Sequence, residues 1–485
     1  MSIWNSSASL VKLYLSGVNF TGRIPESFSH LTSLTYLDLN ISFNSLTGPI
    51  PSNVSGLQDL QLLILSSNYL NGTIPSWIFS LPSLMHLDLS NNSFSGKIHE
   101  FKSNNKSYLQ FLILSQNNFS GQIPSTVCNL KTLGLLNLGS NNLEGTIPQC
   151  LGQMSRVSRL DLSNNCLSGT INTTFSIGNQ FKIIKLHGNK LQGKVPPSLI
   201  NCRNLEFLDL GNNELNDTFP IWLGGLPDLK ILSLRSNKLH GPISDLRTDN
   251  FFAKIRVIDL SFNEFSGDLP YVAHTNTAVD PFSLIVTTKG LDLELPRVLS
   301  TYIIINLSWN RFEGHIPSII GDLVGLRALN LSHNGLEGHI PASFHQLSVL
   351  ESLDLSSNKI GGEIPQQLAS LTFLAVLNLS HNHLVGCIPK GKQFDTFENS
   401  SYQGNDGLSG FPLSKDCGGD DGVPLDDEEE EGDLISWQVV LMGFGCGLVI
   451  GLSIIYIMLS THYPIWFSRM VVKFEHRIAT RMKRY

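Results

Sequence analysis

Glycine returns along this chain at a fixed step. Gly48, Gly72 and Gly96 are 24 residues apart. Gly121, Gly145, Gly169 and Gly193 keep that step, Asp217 and Gly241 continue it, and Gly314, Gly338, Gly362 and Gly386 form a second block. Four residues before each stands an asparagine, from Asn44 to Asn382, in 14 of 15 units; Val18 is the exception. Proline follows the asparagine by seven residues in 12 of 15 units, so the unit has a fixed internal order and not merely a shared composition. Each position has a physical task. Leu84, Leu87 and Leu89 are spaced to begin and fill a short strand with one apolar side, and Phe94 and Ile98 return to the same interior. Asn92 falls where the chain must turn, and its amide can both donate and accept. Gly96 permits a backbone angle that a side chain opposes. Pro75 and its equivalents fix an extended stretch on the outer side. One unit cannot bury its own apolar face, so the units must stack into a solenoid with a continuous core.

The unit LxxLxLSxNxLxGxIP, seen in LESLDLSSNKIGGEIP from Leu350 to Pro365, resembles the plant leucine-rich repeat and runs nearly from Leu10 to Pro389. The resemblance implies an α/β-type solenoid: a right-handed superhelix with a parallel sheet on its concave face. Residues 1–270 then hold about eleven repeats without an amino-terminal cap. Residues 271–300 lack the leucine frame and form an island that loops out, with apolar Phe282, Leu284, Ile285 and Val286 favouring ordered packing. Four repeats follow in 301–392, and 393–419 contain no further copy and are placed to cap the core edge.

The rest of the chain reads as a membrane end. Residues 420–433 are an acidic juxtamembrane segment with nine acids. Residues 434–461 carry no charge, and Trp437 to Leu459 alone would span about 34 Å as a helix. The tail 462–485 is basic, which sets it in the cytoplasm and the repeats outside. Gly443, Gly447 and Gly451 share one face of that helix and suit close contact with another. Fourteen Asn-x-Ser/Thr acceptors, among them Asn53, Asn71, Asn118, Asn172, Asn216 and Asn399, suit an extracellular protein. The net charge of −7 argues against a nucleic-acid partner.

At the carboxyl-terminal end the likeness narrows. GHIPSIIGDLVGLRALNLSHN (Gly314 to Asn334), EIPQQLASLTFLAVLNLSHNHLVGCIPKGKQFDTF (Glu363 to Phe397) and SWQVVLMGFGCGLVIGLSIIYIM (Ser436 to Met458) closely resemble the Cf-type receptor-like proteins, plant immune receptors against fungal leaf mould. The resemblance implies recognition of a secreted pathogen protein or peptide at the plasma membrane. It also implies signalling through an adaptor receptor kinase docked at the membrane region and a co-receptor kinase at the last repeats. The family pairs cysteines across the cap, here Cys387 and Cys417. Departures from the family are a start inside a repeat, without signal peptide or cysteine-paired cap, as expected of a fragment; a shorter island; and a single lysine in Met482 to Tyr485 where the family often has a retrieval pair.

Residue by residue, Cys128 and Cys150 lie in adjacent repeats two positions off perfect stacking, which admits a bridge between coils. Cys166 and Cys202 read as separate small core residues. There is no HExxH, Walker loop or kinase signature and no metal spacing among the histidines, so no enzyme, cofactor or metal is expected. The tail past Ser468 is too short to phosphorylate anything, so a signal must pass through a partner. The expected ligand surface is the concave face, where Arg159, Lys182, Lys185, His187, Lys230, Arg235 and Arg256 would stack into a basic band that steers an acidic ligand. Phe262 and Trp309 offer aromatic anchors beside the island. Asn306, Asn330 and Asn378 are acceptor matches on that face, and some are expected to stay unused. Competing readings are a developmental peptide receptor of the same architecture, a secreted inhibitor of wall-degrading enzymes and a truncated inactive paralogue.

Overall fold

A computed structural model describes residues 12–413 and Cys417, apart from 26–36, 53–56, 102–107, 173, 244–251, 253, 271–283, 289–290, 296–301 and 392. The acidic segment, the apolar stretch 434–461 with Gly443, Gly447 and Gly451, and the basic tail lie outside the described residues. Among those described, no helix is long and apolar enough to cross a membrane.

Each coil contributes one short strand to a 15-stranded parallel sheet, in strict chain order from Lys12–Tyr14 to Val376–Asn378. The leucines point inward as the period of two requires: Leu87, Leu136, Leu208 and Leu353 are fully buried. A ladder of asparagine side chains joins the coils behind the sheet. The Nδ2 amide of Asn165 donates to the carbonyls of Leu138 (3.0 Å), Leu162 (3.2 Å) and Ser163 (3.1 Å). Its Oδ1 accepts the N–H of Leu143 at 3.0 Å, so one side chain satisfies four backbone groups of two coils. The residue just before the asparagine takes a left-handed angle in coil after coil, as at Asn164 (φ 51°) and Ser236 (φ 51°). Asp161 closes the same turn by accepting the N–H (3.0 Å) and hydroxyl (2.6 Å) of Ser163.

The glycine positions lie in a second set of parallel strands, one sheet of nine and one of seven. Gly96 (φ 83°) shows why: a Cβ there would fall 2.9 Å from the Thr73 methyl of the preceding coil. These two sheets part where Asp217 replaces glycine. The strand before it shrinks to Glu214–Leu215, and an isolated bridge from Thr218 to His240 crosses the gap in place of a ladder.

On the outer side seven of the repeat prolines open a single 3-10 turn among the described residues, as in Ser125–Asn129 after Pro124 and Gln366–Ser370 after Pro365. Asn172 is one of three residues, with His99 and Ser244, that replace this proline, and the described residues after it form no such turn. No α-helix occurs among the described residues, which corrects the α/β-type expectation. A coil of 24 residues leaves about five for its outer side, room for one tight turn and no more.

Two features concern the ends of the repeat blocks, and the second is a departure from expectation. Ile304 pairs directly with Val257, so the island is bypassed by the sheet; Leu284–Thr288 and Leu291–Leu295 pair antiparallel as a hairpin of their own. The segment after Pro389 carries a sixteenth rung that the sequence reading missed. Asn405 donates to Leu379 (3.0 Å) and Tyr402 (2.8 Å) and accepts from Leu384 (3.0 Å), while Gly407–Ser409 extends the side sheet. Fully buried Tyr402 takes the place of the usual leucine, and the step from Asn382 is 23 rather than 24.

Candidate functional site

The open face of the long sheet carries the non-leucine strand residues, and strand register decides which of them meet. Lys182, Glu206, Lys230 and Arg256 occupy one column, with Glu206 between the two lysines. Its carboxylate lies 3.7 Å from Lys182 Nζ and 2.8 Å from Lys230 Nζ. Further along the strands, where Asp209 shares its rung with Lys185, His187 Nδ1 reaches diagonally to 2.9 Å from the Asp209 carboxylate. Burial alone would lower the His187 pKa, but the Asp209 carboxylate outweighs it and the net shift is upward. Asp209 is penalised by burial too, yet its contact with His187 and the Gly211 N–H hold it below the usual carboxylate range. Asp259 goes the other way: burial raises it, against bonds from Ser261 and the charge of Arg235.

The expected basic band is therefore corrected to a charge-paired strip. The one coil that carries Glu206 and Asp209 separates the cations that were expected to stack together. Arg235 and Arg256 are buried, at 8% and 5% exposure, whereas Arg159 and Lys182 are exposed. Lys185 Nζ lies 4.9 Å from the centre of the Phe207 ring, and the Arg235 guanidinium 5.9 Å from that of Phe262.

Alongside the charges runs a column that the sequence reading overlooked. Ile183, Phe207, Ile231, Val257 and Ile304 are register neighbours on this same face, and all are buried, with Tyr302 and Ala328 against them. The signal was present: the residue just before the second strand leucine is apolar in five successive repeats.

Phe262 and Trp309 sit at the left-handed turn, φ 56° and 54°, where Asn, Ser or Gly stand in the four coils before them. Both are exposed, and their rings stack 5.4 Å apart with planes 10° from parallel. His333 extends the stack, 3.9 Å from Trp309 and again at 10°. An aromatic side chain in this backbone region is costly, by about 1–2 kcal/mol, which three rings in a row repeat without any need from the core.

Cys128 is bonded to Cys150 and Cys387 to Cys417, with Cα separations of 6.1 and 5.7 Å. Cys202 is buried, which pushes its thiol up to about 12, but Cys166 is exposed at the start of its strand and is not a core residue. Asn71, Asn118, Asn172, Asn216 and Asn399 are exposed, and Asn53 lies outside the described residues. Asn306 is 1% exposed and caps Ser308 with its side-chain oxygen. Among the described residues no group of three His, Cys, Asp or Glu is disposed to hold a metal ion.

The stacked coils, the asparagine ladder and the residues matched place the chain in its class. It belongs to the leucine-rich-repeat family: the family described as "Leucine-rich repeat region" matches residues 13–273, and "Leucine rich repeat" matches 324–384. Within that family it is similar to the receptor-like protein Cf-9 homolog of Solanum lycopersicum, at 65% identity over 271 residues, 50% of this chain and 32% of that one. Receptor-like protein Cf-9 of Solanum pimpinellifolium gives the same identity over 31% of its length. The chain thus spans about a third of the curated relatives it matches. Among solved structures, the plant peptide hormone receptor RGFR1 in complex with RGF2 has a TM-score of 0.65 and 29% identity, covering 80% of this chain and 62% of that one. The PEPR1–AtPEP1 structure has a TM-score of 0.58 and 29% identity, covering 83% and 63%. With these proteins the chain shares the leucine-rich-repeat solenoid and its parallel sheets.

Proposed function

We propose that the chain is the ligand-reading and membrane-proximal part of a cell-surface receptor that recognises an extracellular, pathogen-derived protein or peptide. The likeness to the Cf-9 receptor-like proteins carries this reading. The strip of Arg159, Lys182, Lys185, His187, Lys230, Arg235 and Arg256, ending at Phe262 and Trp309, is the proposed ligand surface. Its paired charges favour orientation of a mixed-charge ligand over steering of a purely acidic one. Residues 434–461 anchor the chain in the plasma membrane, with Gly443, Gly447 and Gly451 toward a partner helix. The signal passes to an adaptor receptor kinase and a co-receptor kinase. Glycans at the exposed acceptors fit an extracellular ectodomain.

A second reading, an endogenous peptide receptor of the same architecture, is supported by the peptide-bound state of the RGFR1 and PEPR1 structures. One experiment separates the readings. The full chain with a carboxyl-terminal tag is expressed in leaf cells, recovered with its bound kinases, and challenged with fungal culture filtrate or with endogenous peptide fractions. An oxidative burst on filtrate alone supports the immune reading; a response only to plant fractions rejects it.

A further inference from the structure

The turn column that holds the stacked rings continues past them. Backbone N–H groups run from Trp309 to Ser332, from His333 to Ser356 and from Ser357 to Ser380, each at 2.9 Å, so Trp309, His333, Ser357 and His381 occupy successive rungs. All four are left-handed, with φ between 54° and 55°. Three carry flat rings; Ser357 carries one hydroxymethyl group. The planes of Phe262, Trp309 and His333 are already within 10° of their neighbours, so a face of the His333 imidazole looks along the column toward Ser357. On the far side stands the His381 ring, against Gly404 of the next rung. A Cβ built on Gly404 would fall 2.6 Å from His381 Nδ1, and only the absence of a side chain there admits it.

The dimensions select the occupant. Two strand spacings separate the rungs of His333 and His381, about 9.5 Å. The rings of the existing stack sit 5.4 and 3.9 Å apart, so the interval over Ser357, two such steps wide, takes one planar ring and no more. It is open to solvent on one side: His381 is exposed, and His333 and Ser357 are half-buried. His333 Nδ1 is buried without a hydrogen-bond partner, so its ring is held by stacking and presents a face rather than a polar edge.

We propose that the interval over Ser357, between His333 and His381, is a single-ring slot that takes the aromatic side chain of a tyrosine, tryptophan or phenylalanine in a protein or peptide ligand, which then completes the ladder begun at Phe262. This deepens the receptor reading, on which only the ligand's class depends. The slot explains why costly aromatic turn residues accumulate on one side of it: they form a rigid stack that fixes the plane of His333.

The test uses the full chain, purified in detergent with 13C-labelled histidine, and free N-acetyl-tyrosinamide as probe. N-acetyl-alaninamide and methyl glucoside serve as controls. Resonances of His333 and His381 are assigned from His333→Gln and His381→Gln variants. The expected result is a ring-current shift of both histidines with the tyrosine amide and with neither control. Ser357→Trp fills the slot and is expected to weaken probe binding at least tenfold. Trp309 already holds that residue type at the same turn and the same φ, so the variant keeps the fold. His381→Ala, which removes one wall, is expected to lower affinity several-fold while His333 still shifts. Absence of the shift, a shift unchanged in Ser357→Trp, or an equal shift with the glucoside overturns the proposal. None of these outcomes touches kinase co-purification or the leaf response, so failure of the slot is distinct from failure of the receptor reading.

Discussion

Asn165 illustrates how much one side chain carries in this molecule. Alanine at that position removes the acceptor of the Leu143 N–H and one of the two donors at each of three carbonyls at the boundary of two coils. Asn165→Ala is expected to cost about 2–4 kcal/mol, read as a shift of the urea midpoint. Trp309→Asn is expected to change stability by less than about 1 kcal/mol, because relief of the left-handed strain offsets lost stacking. Phe312→Ala, three residues on and fully buried, is expected to cost about 3–5 kcal/mol by the same measurement. The His187–Asp209 pair makes stability depend on pH. A histidine raised above its ordinary value stabilises the fold below pH ~6.5 and loses that contribution as pH rises through its elevated pKa; a lowered aspartate stabilises above pH ~3.9 and loses it as pH falls. The window of full benefit lies between. His187→Gln is expected to lower stability by about 1 kcal/mol at pH 5.5 and to approach the parent chain at pH 8.5. Of the residues involved, Asn165 was legible from its place in the period. The His187 partner was not, because only register says that Asp209 lies beside it.

At the scale of the element, coils meet face to face on the outer side through their 3-10 turns, and tolerance is set by the gap. A Cβ on Gly321 would fall 2.5 Å from the Ser343 carbonyl of the next turn, whereas one on Gly134 would meet backbone at 3.7 Å, an ordinary contact. Gly321→Ala is therefore expected to lower the melting temperature, by about 1–3 kcal/mol equivalent, and Gly134→Ala to leave it nearly unchanged. The strands, their inward leucines and the island between Gly267 and Gly314 were visible in the sequence, since each follows from a period or a break in it. The sixteenth rung was hidden because Tyr402 replaces a leucine and the step contracts by one. The division of the side sheets was foreshadowed by Asp217 but needed the strand pairing to be seen. The ion-paired strip and the apolar column depend on which residues of different coils share a rung, and a reading along the chain does not weigh that.

For the molecule as a whole, exposed and buried acceptor asparagines give a map of which surface can carry sugar. Glycopeptide mass spectrometry of chain recovered from leaf cells is expected to find glycans on Asn71, Asn118, Asn172, Asn216 and Asn399. Asn306, closed off by its bond to Ser308, is expected to remain bare. Occupancy at Asn306 would contradict the described packing of that strand. The asparagine ladder also bears on how such a molecule changes over generations. Every rung bonds only to the coil on either side, so a whole 24-residue coil can be gained or lost by unequal recombination with both new junctions chemically identical to the old. Each such event between the coils of Lys185 and Arg235 moves the rings at Phe262, Trp309 and His333 by about 4.8 Å from the amino-terminal end of the charged strip. The spacing between two ligand-reading features then becomes a heritable, stepwise quantity, like the notches of a ruler, set apart from the identity of the residues that do the reading.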